Sequence, residues 1–174
     1  MTQVQQWFAK NKQFLVVIVI LFAVRWSFAD HYRVPSESMM PTIEIGDHIA
    51  VNKTAYSIKV PFSNIEVFRT GEVERGDIIV FIPPHDPSTN YVKRVVGLPG
   101  DSVLVDGEYR VVPKDKYYVL GDNRSASLDS RYWGFVDREQ IKGRASHVLF
   151  SAKLDQGLPV LQWRRTLSRL ADFQ

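Results

Sequence analysis

Two serines and a lysine have the type and setting that hydrolytic chemistry requires. Ser36 and Ser38 lie two residues apart in the proline-bounded stretch PSESMMPT, residues 35–42. A serine hydroxyl becomes an effective nucleophile when a neighbouring base takes its proton. Without such a base, the same stretch would be a polar turn whose two methionines pack into the core.

Lys93 is the candidate base, in the stretch YVKRVVGLPGD at residues 91–101. Side chains alternate between the two faces of a strand, so Lys93 would share a face with Tyr91 and Val95. The ordinary lysine pKa of about 10.4 keeps the amine charged at pH 7, and burial lowers that pKa. The alternative is an edge-strand lysine that points into water.

A third polar stretch, GDNRSASLDSR at residues 121–131, follows a hydrophobic strand. Its carboxylates suggest a calcium site, but the stretch has no glycine at the sixth position of a calcium loop. It also has Trp133 where a bidentate glutamate is needed. A loop of Asx turns is the structural alternative. The four histidines show no metal-ligand spacing, so the sequence predicts neither a metal ion nor a cofactor.

Composition narrows the classes of function. A chain of 174 residues with 45% hydrophobic content suits one folded domain. The net charge of +3 arises before Asp30, and the rest of the chain is neutral overall. A neutral body disfavours nucleic acid as a partner. Because the chain has no cysteine, thiol nucleophiles and disulfides are excluded.

The elements that must position these residues begin with an apolar run, FLVVIVILFAV at residues 14–24, preceded by two lysines. Extended to Ala29, the run predicts a short membrane span. The lysines predict that residues 1–13 are cytoplasmic and that residues 30–174 lie across the membrane. The alternatives are a cleavable signal peptide ending in the small-x-small triplet at 27–29, and a buried core helix.

From His48 onward, short alternating runs separated by Gly, Pro and Asp predict a mainly β domain. The expected strands are His48–Tyr56, Ile65–Arg69, Asp77–Ile82, Tyr91–Val96, Ser102–Val105, Tyr109–Val112, Tyr117–Leu120 and Arg144–Ala152. The pair Asp106-Gly107 predicts a two-residue hairpin turn. The tail Leu158–Phe173 has the spacing of an amphipathic helix, which would pack on the core or lie on a membrane surface.

Taken together, these stretches resemble the bacterial signal peptidase I family from about Arg25 to Ser151. PSESMMPT resembles the family's serine box, RGDIIVF (75–81) its strand box, YVKRVVGLPGD its lysine box and GDNRSASLDSR its acidic-polar box. They occur in the family's order, downstream of an apolar anchor. The resemblance implies an antiparallel β-sheet or barrel catalytic domain with one N-terminal transmembrane helix.

The resemblance also implies roles for individual residues. Ser38 would be the nucleophile and Lys93 the base, with the Ser36 hydroxyl and the Ser38 N–H forming the oxyanion hole. Ser127 would orient the Lys93 amine. The polar loop would be held by Asp122, Asp129 and Arg131. Substrate would contact Tyr32, Val34, Pro35, Met39, Asn90, Tyr91 and Val92. Two departures from the family pattern are Glu37, where many relatives carry glycine, and Ala126, where some carry asparagine.

The function implied is that of a membrane-bound serine endopeptidase that removes signal peptides from secretory preproteins. Alternate residues of an extended substrate face the same wall, which implies cleavage after small-x-small motifs such as Ala-x-Ala. The expected location is the bacterial cytoplasmic membrane, as a single-pass protein with its catalytic domain on the extracytoplasmic face. Phospholipid and signal peptides would be the partners.

Three other functions are compatible with parts of the sequence. One is a processing peptidase dedicated to a single exported pilin-like substrate. Another is a self-cleaving repressor-type Ser/Lys protease, which would need a helix-turn-helix and an Ala-Gly site that this chain lacks. The third is a membrane-tethered β module without activity.

Overall fold

The computed structural model describes residues 7, 10–18, 29–59, 65–155 and 158–173. Residues 12–18 are helical, and residues 19–28 of the predicted membrane segment lie outside the described ranges. Within those ranges, no helix combines the length and the apolar character that crossing a membrane requires. The predicted anchor over residues 14–29 and its orientation therefore stay predictions.

The described part of the chain is mainly antiparallel β-structure, which confirms the predicted fold class. Its strands are β1 (Ala29–Arg33), β2 (Asp47–Asn52), β3 (Ser57–Lys59), β4 (Glu66–Arg69), β5 (Ile78–Phe81), β6 (Tyr91–Gly97), β7 (Ser102–Val105), β8 (Glu108–Val111), β9 (Lys116–Leu120), β10 (Val136–Asp137), β11 (Ile141–Asp155), β12 (Leu158–Leu161) and β13 (Ser168–Arg169). Among the described residues, the main sheet follows the order β1-β2-β11-β5-β6-β9-β10, with β12 and β13 also paired to β11. The pairs β3-β4 and β7-β8 form separate two-stranded sheets.

Each of the eight predicted strands overlaps an observed one, with ends that differ by up to four residues. The structure adds β1 and four strands of two to four residues. Strands so short show too little alternation to be recognised in a sequence. The first predicted strand, His48–Tyr56, ends early because Lys53–Ala55 forms a 3-10 turn. The Asn52 side chain accepts the Thr54 N–H and caps that turn.

The main sheet is covered on both faces, as β5 shows. All four of its residues are buried. Ile78 and Val80 pack in one apolar cluster with Met39, whereas Ile79 and Phe81 pack in another. Successive side chains of a strand point to opposite faces, so the two clusters lie on opposite sides of the sheet. Strand β6 lies beside β5, and its residues Lys93, Val95 and Gly97 are buried.

The predicted hairpin at Asp106-Gly107 is present. Val105 pairs with Glu108 across the turn, and both turn residues have positive φ, 50° for Asp106 and 79° for Gly107. Two consecutive positive φ values give a turn whose twist matches that of the flanking strands.

The predicted C-terminal helix over Leu158–Phe173 is wrong. This segment forms β12, a turn at residues 163–167, β13 and the 3-10 turn Leu170–Phe173. The helical pattern competes with the edge of β11, where residues 152–155 pair with residues 158–161 and satisfy the backbone of both segments. Leu167 adopts φ of 60°, which a right-handed helix does not allow.

Candidate active site

The serine turn, residues 36–42, connects β1 to the loop before β2. The Met40 N–H donates to the Glu37 carbonyl at 3.0 Å, and the Ile43 N–H donates to the Met39 carbonyl at 2.9 Å. The side chains of Met39 and Ile43 are fully buried in one cluster. These anchors on both sides of the turn fix the backbone that carries Ser38.

Ser38 and Lys93 meet in the interior. The Lys93 Nζ lies 2.6 Å from the Ser38 Oγ, and the two residues are 4% and 8% exposed, respectively. As predicted, Lys93 lies on the same face of β6 as Tyr91 and Val95, both of which belong to the second apolar cluster. A buried amine in contact with a hydroxyl is the arrangement that proton transfer from serine to lysine requires.

Burial lowers the pKa of Lys93 to about 8, against the opposing charges of Asp129 and Asp122. The Nζ also lies 5.4 Å from the centre of the Tyr91 ring. At pH 7 a pKa of about 8 leaves about a tenth of the amine neutral, and at pH 8 about half. The amine can therefore act as a base close to neutral pH.

Asp129 is the fully buried centre of the polar loop. Its carboxylate accepts the Arg131 Nε at 2.8 Å, the Arg131 guanidinium again at 3.0 Å and the Gly121 N–H at 3.1 Å. Burial alone would raise the pKa of Asp129, but these hydrogen bonds hold it below the ordinary value. Arg131 also donates to the carbonyls of Arg124 and Ser127, which closes the loop on itself.

Asp122 is paired with Arg94, the residue after Lys93. Two nitrogens of the guanidinium bind its two carboxylate oxygens at 2.9 and 2.8 Å. Burial opposes ionisation of Asp122, but the bonds from Arg94 lower its pKa. Arg94 also donates to the Gly76 carbonyl at 3.0 Å. Both carboxylates near Lys93 are thus held ionised by an arginine each.

The polar loop is bonded directly to the serine turn. The Asn123 N–H donates to the Ser38 carbonyl at 3.1 Å, and its side-chain amide donates to the Glu37 carbonyl at 3.3 Å. A Cβ on Gly121 would overlap both the Ser38 carbonyl oxygen and the Ser127 hydroxyl. Gly121 therefore permits a close approach that fixes the turn against the loop.

The remaining hydroxyls lie close to Ser38. The Ser36 Oγ is 3.3 Å from the Ser38 Oγ, and among the described residues the Ser38 N–H has no hydrogen-bond acceptor. The Ser127 Oγ is buried and has no hydrogen-bond partner within the described part of the chain. The hydrogen bond predicted between Ser127 and Lys93 is therefore not formed in this structure, although Ser127 is buried close to Gly121.

A cleft of about 510 Å³ opens onto the Ser38–Lys93 pair. The end of β1 and the start of β6 form two of its sides, with Ala126 and Leu128 of the polar loop on another. The cleft is lined by every residue predicted to bind substrate, namely Tyr32, Val34, Pro35, Met39, Asn90, Tyr91 and Val92.

Three residues of this site were not predicted: Arg94, Gly121 and Asn123. Gly121 and Asn123 lie in the polar loop, but their role is to approach the serine turn, from which they are more than 80 residues distant. The position of Arg94 in the sequence could have indicated its role. Its position beside Lys93 places it on the opposite face of β6, where a charged residue in a central strand needs a partner.

Comparison with known proteins identifies the class of this site. The family model described as "Signal peptidase, peptidase S26" matches residues 5–109 and 104–150, which include the serine turn, β6 and the polar loop. The chain belongs to this family. It is therefore a serine endopeptidase that acts in signal peptide processing, which confirms the resemblance predicted from the four boxes.

Two individual relatives agree with this assignment. Signal peptidase I of Pseudomonas aeruginosa is 33% identical in an alignment of 203 positions, which covers 81% of this chain and 72% of the relative. Signal peptidase I of Leptolyngbya laminosa is 37% identical over 158 residues, covering 74% of this chain and 72% of the relative. A crystal structure of a signal peptidase I from Enterococcus faecalis aligns with 42% of this chain and 96% of that one, with 27% identity and a TM-score of 0.35.

Proposed function

We propose that the peptidase cleaves signal peptides after small-x-small motifs with Ser38 as nucleophile and Lys93 as general base. The observation that carries the proposal is the 2.6 Å contact between the Lys93 Nζ and the Ser38 Oγ in a buried setting at the base of the cleft. In the reactive state, neutral Lys93 accepts the Ser38 proton while the Oγ attacks the scissile carbonyl. The resulting ammonium then protonates the leaving amine.

The oxyanion that forms on attack needs donors near Ser38. The Ser38 N–H and the Ser36 hydroxyl are the two groups that can supply them. The Ser36 Oγ is 3.3 Å from the Ser38 Oγ, so it lies within reach of an oxygen bonded to the attacked carbon. Removing one such donor typically costs about 3 to 4 kcal/mol of transition-state stabilisation.

The cleft favours an extended substrate. Strand β1 pairs with β2 along one edge, and Tyr91–Lys93 pair with β5, whereas β9 pairs with β6 only from Arg94 onward. The opposite edge of β1 and the opposite edge of Tyr91–Lys93 have no strand partner within the described residues. An extended peptide between them would complete both ladders and place alternate side chains against Val34, Met39 and Val92. These apolar walls favour small residues one and three positions before the cut.

We further propose that the domain works on the extracytoplasmic face of the bacterial cytoplasmic membrane, held by the anchor at residues 14–29. The two lysines before that apolar run support an N-terminus in the cytoplasm. A single anchor upstream of β1 would deliver the cleft to the membrane surface, where signal peptides are embedded.

A preprotein cleavage assay with the full-length chain in detergent tests the proposal. Ser38→Ala should lower kcat by at least about 10⁴-fold, because the nucleophile is lost. Ser102→Ala, at an exposed position of β7, is the matched control and should cleave at the rate of the unsubstituted chain. Mass spectrometry should locate the cut after an Ala-x-Ala site, and replacing the last alanine of that site with leucine should abolish it. Cleavage at the same bond by the Ser38→Ala protein would refute the proposed mechanism.

A further inference from the structure

Arg165 binds the C-terminal tail to the start of β2 and to the loop between the serine turn and β2. Its guanidinium contacts the Asp47 carboxylate, with Nη2–Oδ2 at 2.7 Å and Nε at 3.3 Å from both oxygens. A second carboxylate, that of Glu44, lies 3.3 Å from Nη1. The Asp47 side chain is 0% exposed and that of Arg165 is 12% exposed, so water screens this pair only weakly.

Arg165 also reaches the serine turn itself. Its Nη2 donates to the Thr42 carbonyl at 2.9 Å. The Thr42 hydroxyl lies 3.5 Å from the Nη2 of Arg94, which is adjacent to Lys93 in β6. Thr42 is therefore held by two arginines, one from the strand of the base and one from the tail.

An apolar contact reinforces the ionic one. Leu170, in the 3-10 turn of the tail, is buried in the same cluster as Met39 and Ile43. The ring of Phe173 packs against this cluster and lies 4.4 Å from the centre of the Arg165 guanidinium. Met39 is the residue after Ser38 and Thr42 is the last residue of the serine turn, so the tail supports the middle and the end of that turn.

We propose that Arg165 is a positioning residue for catalysis: by holding Thr42 and Asp47, it keeps the Ser38 Oγ in contact with the Lys93 Nζ. The inference rests on the proposed Ser38–Lys93 mechanism and extends it to the tail. Within the described part of the chain, no hydrogen-bond or ion-pair partner of Arg165 lines the cleft, so its loss should act on kcat rather than on KM. A displacement of the nucleophile by about 1 Å is enough to lower a rate by about 100-fold.

Loss of Arg165 also leaves Asp47 buried without its partner, which destabilises any fold. The control must therefore be an arginine of equal burial at a distance from the serine turn. Arg138 meets this need: it is buried, and it binds Glu72, the Tyr117 hydroxyl and the carbonyls of Tyr56 and Gly71. None of these groups lines the cleft. Arg164, which is exposed, controls for loss of positive charge on the tail.

The experiment compares Arg165→Ala, Arg165→Lys, Arg138→Ala, Arg138→Lys and Arg164→Ala in the full-length chain, in detergent, with a fluorogenic Ala-x-Ala peptide. Thermal unfolding is measured for each protein, and kcat, KM and the pH profile are measured well below its Tm. Arg165→Ala should lower kcat by roughly 10- to 100-fold, with KM changed less than about threefold. The acid limb of kcat/KM should move to higher pH, because a loosened turn admits water to Lys93.

Arg165→Lys keeps the charge but not the two-pronged geometry, so it should recover part of the lost kcat. Both Arg138 variants should unfold at lower temperature with kcat unchanged, and Arg164→Ala should match the unsubstituted chain. If Arg165→Ala does not fold, the comparison of Arg165→Lys with Arg138→Lys decides. The inference is overturned if Arg165 variants keep their kcat, or if Arg138 variants lose as much kcat for the same loss of Tm. Ser38→Ala, assayed in parallel, distinguishes failure of the positioning role of Arg165 from failure of the proposed mechanism. Activity in that variant would refute the Ser38–Lys93 dyad.

Discussion

Lys93 is buried and Lys59 is half-buried, and their amines have different hydrogen-bond partners. Burial lowers the pKa of each. The Lys59 Nζ, on β3, donates to the backbone carbonyls of Glu139 and Ile141 at 3.5 and 3.3 Å. The Lys93 Nζ contacts a serine hydroxyl at 2.6 Å. A carbonyl can only accept a hydrogen bond, whereas a hydroxyl can also donate one.

This difference shows that burial alone does not make a lysine a base. Carbonyl acceptors favour the ammonium at Lys59, and Glu66 and Glu139 add to that preference. At Lys93, the nearby carboxylates of Asp122 and Asp129 are already engaged by Arg94 and Arg131, and the hydroxyl can donate to a neutral amine. The site thus combines low solvation with partners that do not require a charge.

The largest expected effect comes from replacing Lys93 with methionine, and the same replacement of Lys59 is the comparison. Lys93→Met should lower kcat/KM by about 10³- to 10⁴-fold, because the general base is lost. Lys59→Met should keep kcat/KM within about twofold, because a lysine held by carbonyls has no part in proton transfer. Peptide cleavage by the two proteins, each checked for folding by circular dichroism, measures the contrast. Similar losses in both would show that the two environments do not differ in function.

A smaller effect should follow when a carboxylate near Lys93 loses its arginine. In Arg131→Met, the Gly121 N–H still stabilises the Asp129 carboxylate, whose charge is now less compensated and stabilises the Lys93 ammonium, so the pKa of Lys93 rises from about 8. A rise of about one unit lowers the neutral fraction at pH 7 about tenfold, and kcat/KM with it.

The pH profile of kcat/KM checks this prediction. The unsubstituted chain should lose activity as pH falls through about 8, since Lys93 becomes protonated. Arg131→Met should lose activity at higher pH and approach the unsubstituted rate in strongly alkaline buffer. Arg110→Met, at an exposed position of β8, is the control. An unchanged acid limb in Arg131→Met would contradict the argument.

The smallest effect concerns stability. Lys93 has a pKa of about 8 in the folded state and 10.5 as its ordinary value, so the folded state binds fewer protons between these limits. Stability of the unsubstituted chain should therefore rise with pH in this window. Lys93→Met removes the cost of burying the ammonium and should stabilise the protein by roughly 3 kcal/mol at pH 6, with the gain lost above about pH 10.5.

Denaturant unfolding at several pH values measures this effect in Lys93→Met and Lys59→Met. Lys59 is half exposed, so its gain should be smaller and less dependent on pH. A Lys93→Met protein that is less stable than the unsubstituted chain at pH 6 would mean that the Lys93 amine is stabilised as a charge.

Much of the site followed from local pattern. Alternation in the predicted strand Tyr91–Val96 correctly placed Lys93 with Tyr91 and Val95. This placement depends on side-chain direction within a single element, which a sequence encodes directly. That the serine, lysine and polar stretches act together was implied by their resemblance to one family. The catalytic roles of Ser38 and Lys93 stay a prediction until the variants are assayed.

The long-range contacts could not be predicted. Arg165 and Asp47 are 118 residues apart, and the sequence of neither segment indicates the other. The tail also has the spacing of an amphipathic helix, yet the edge of β11 recruits its first residues as β12. Helical pattern is a weak preference in a short segment, and tertiary pairing decides the outcome.

Gly121 constrains the exchange of loops between peptidases of this fold. Its lack of a side chain lets the Ser38 carbonyl and the Ser127 hydroxyl share one narrow space, and Asn123 binds that same carbonyl. The polar loop and the serine turn are in effect one part, assembled from two distant stretches of sequence. A chimaera should transfer residues 36–42 and 121–131 as a matched pair.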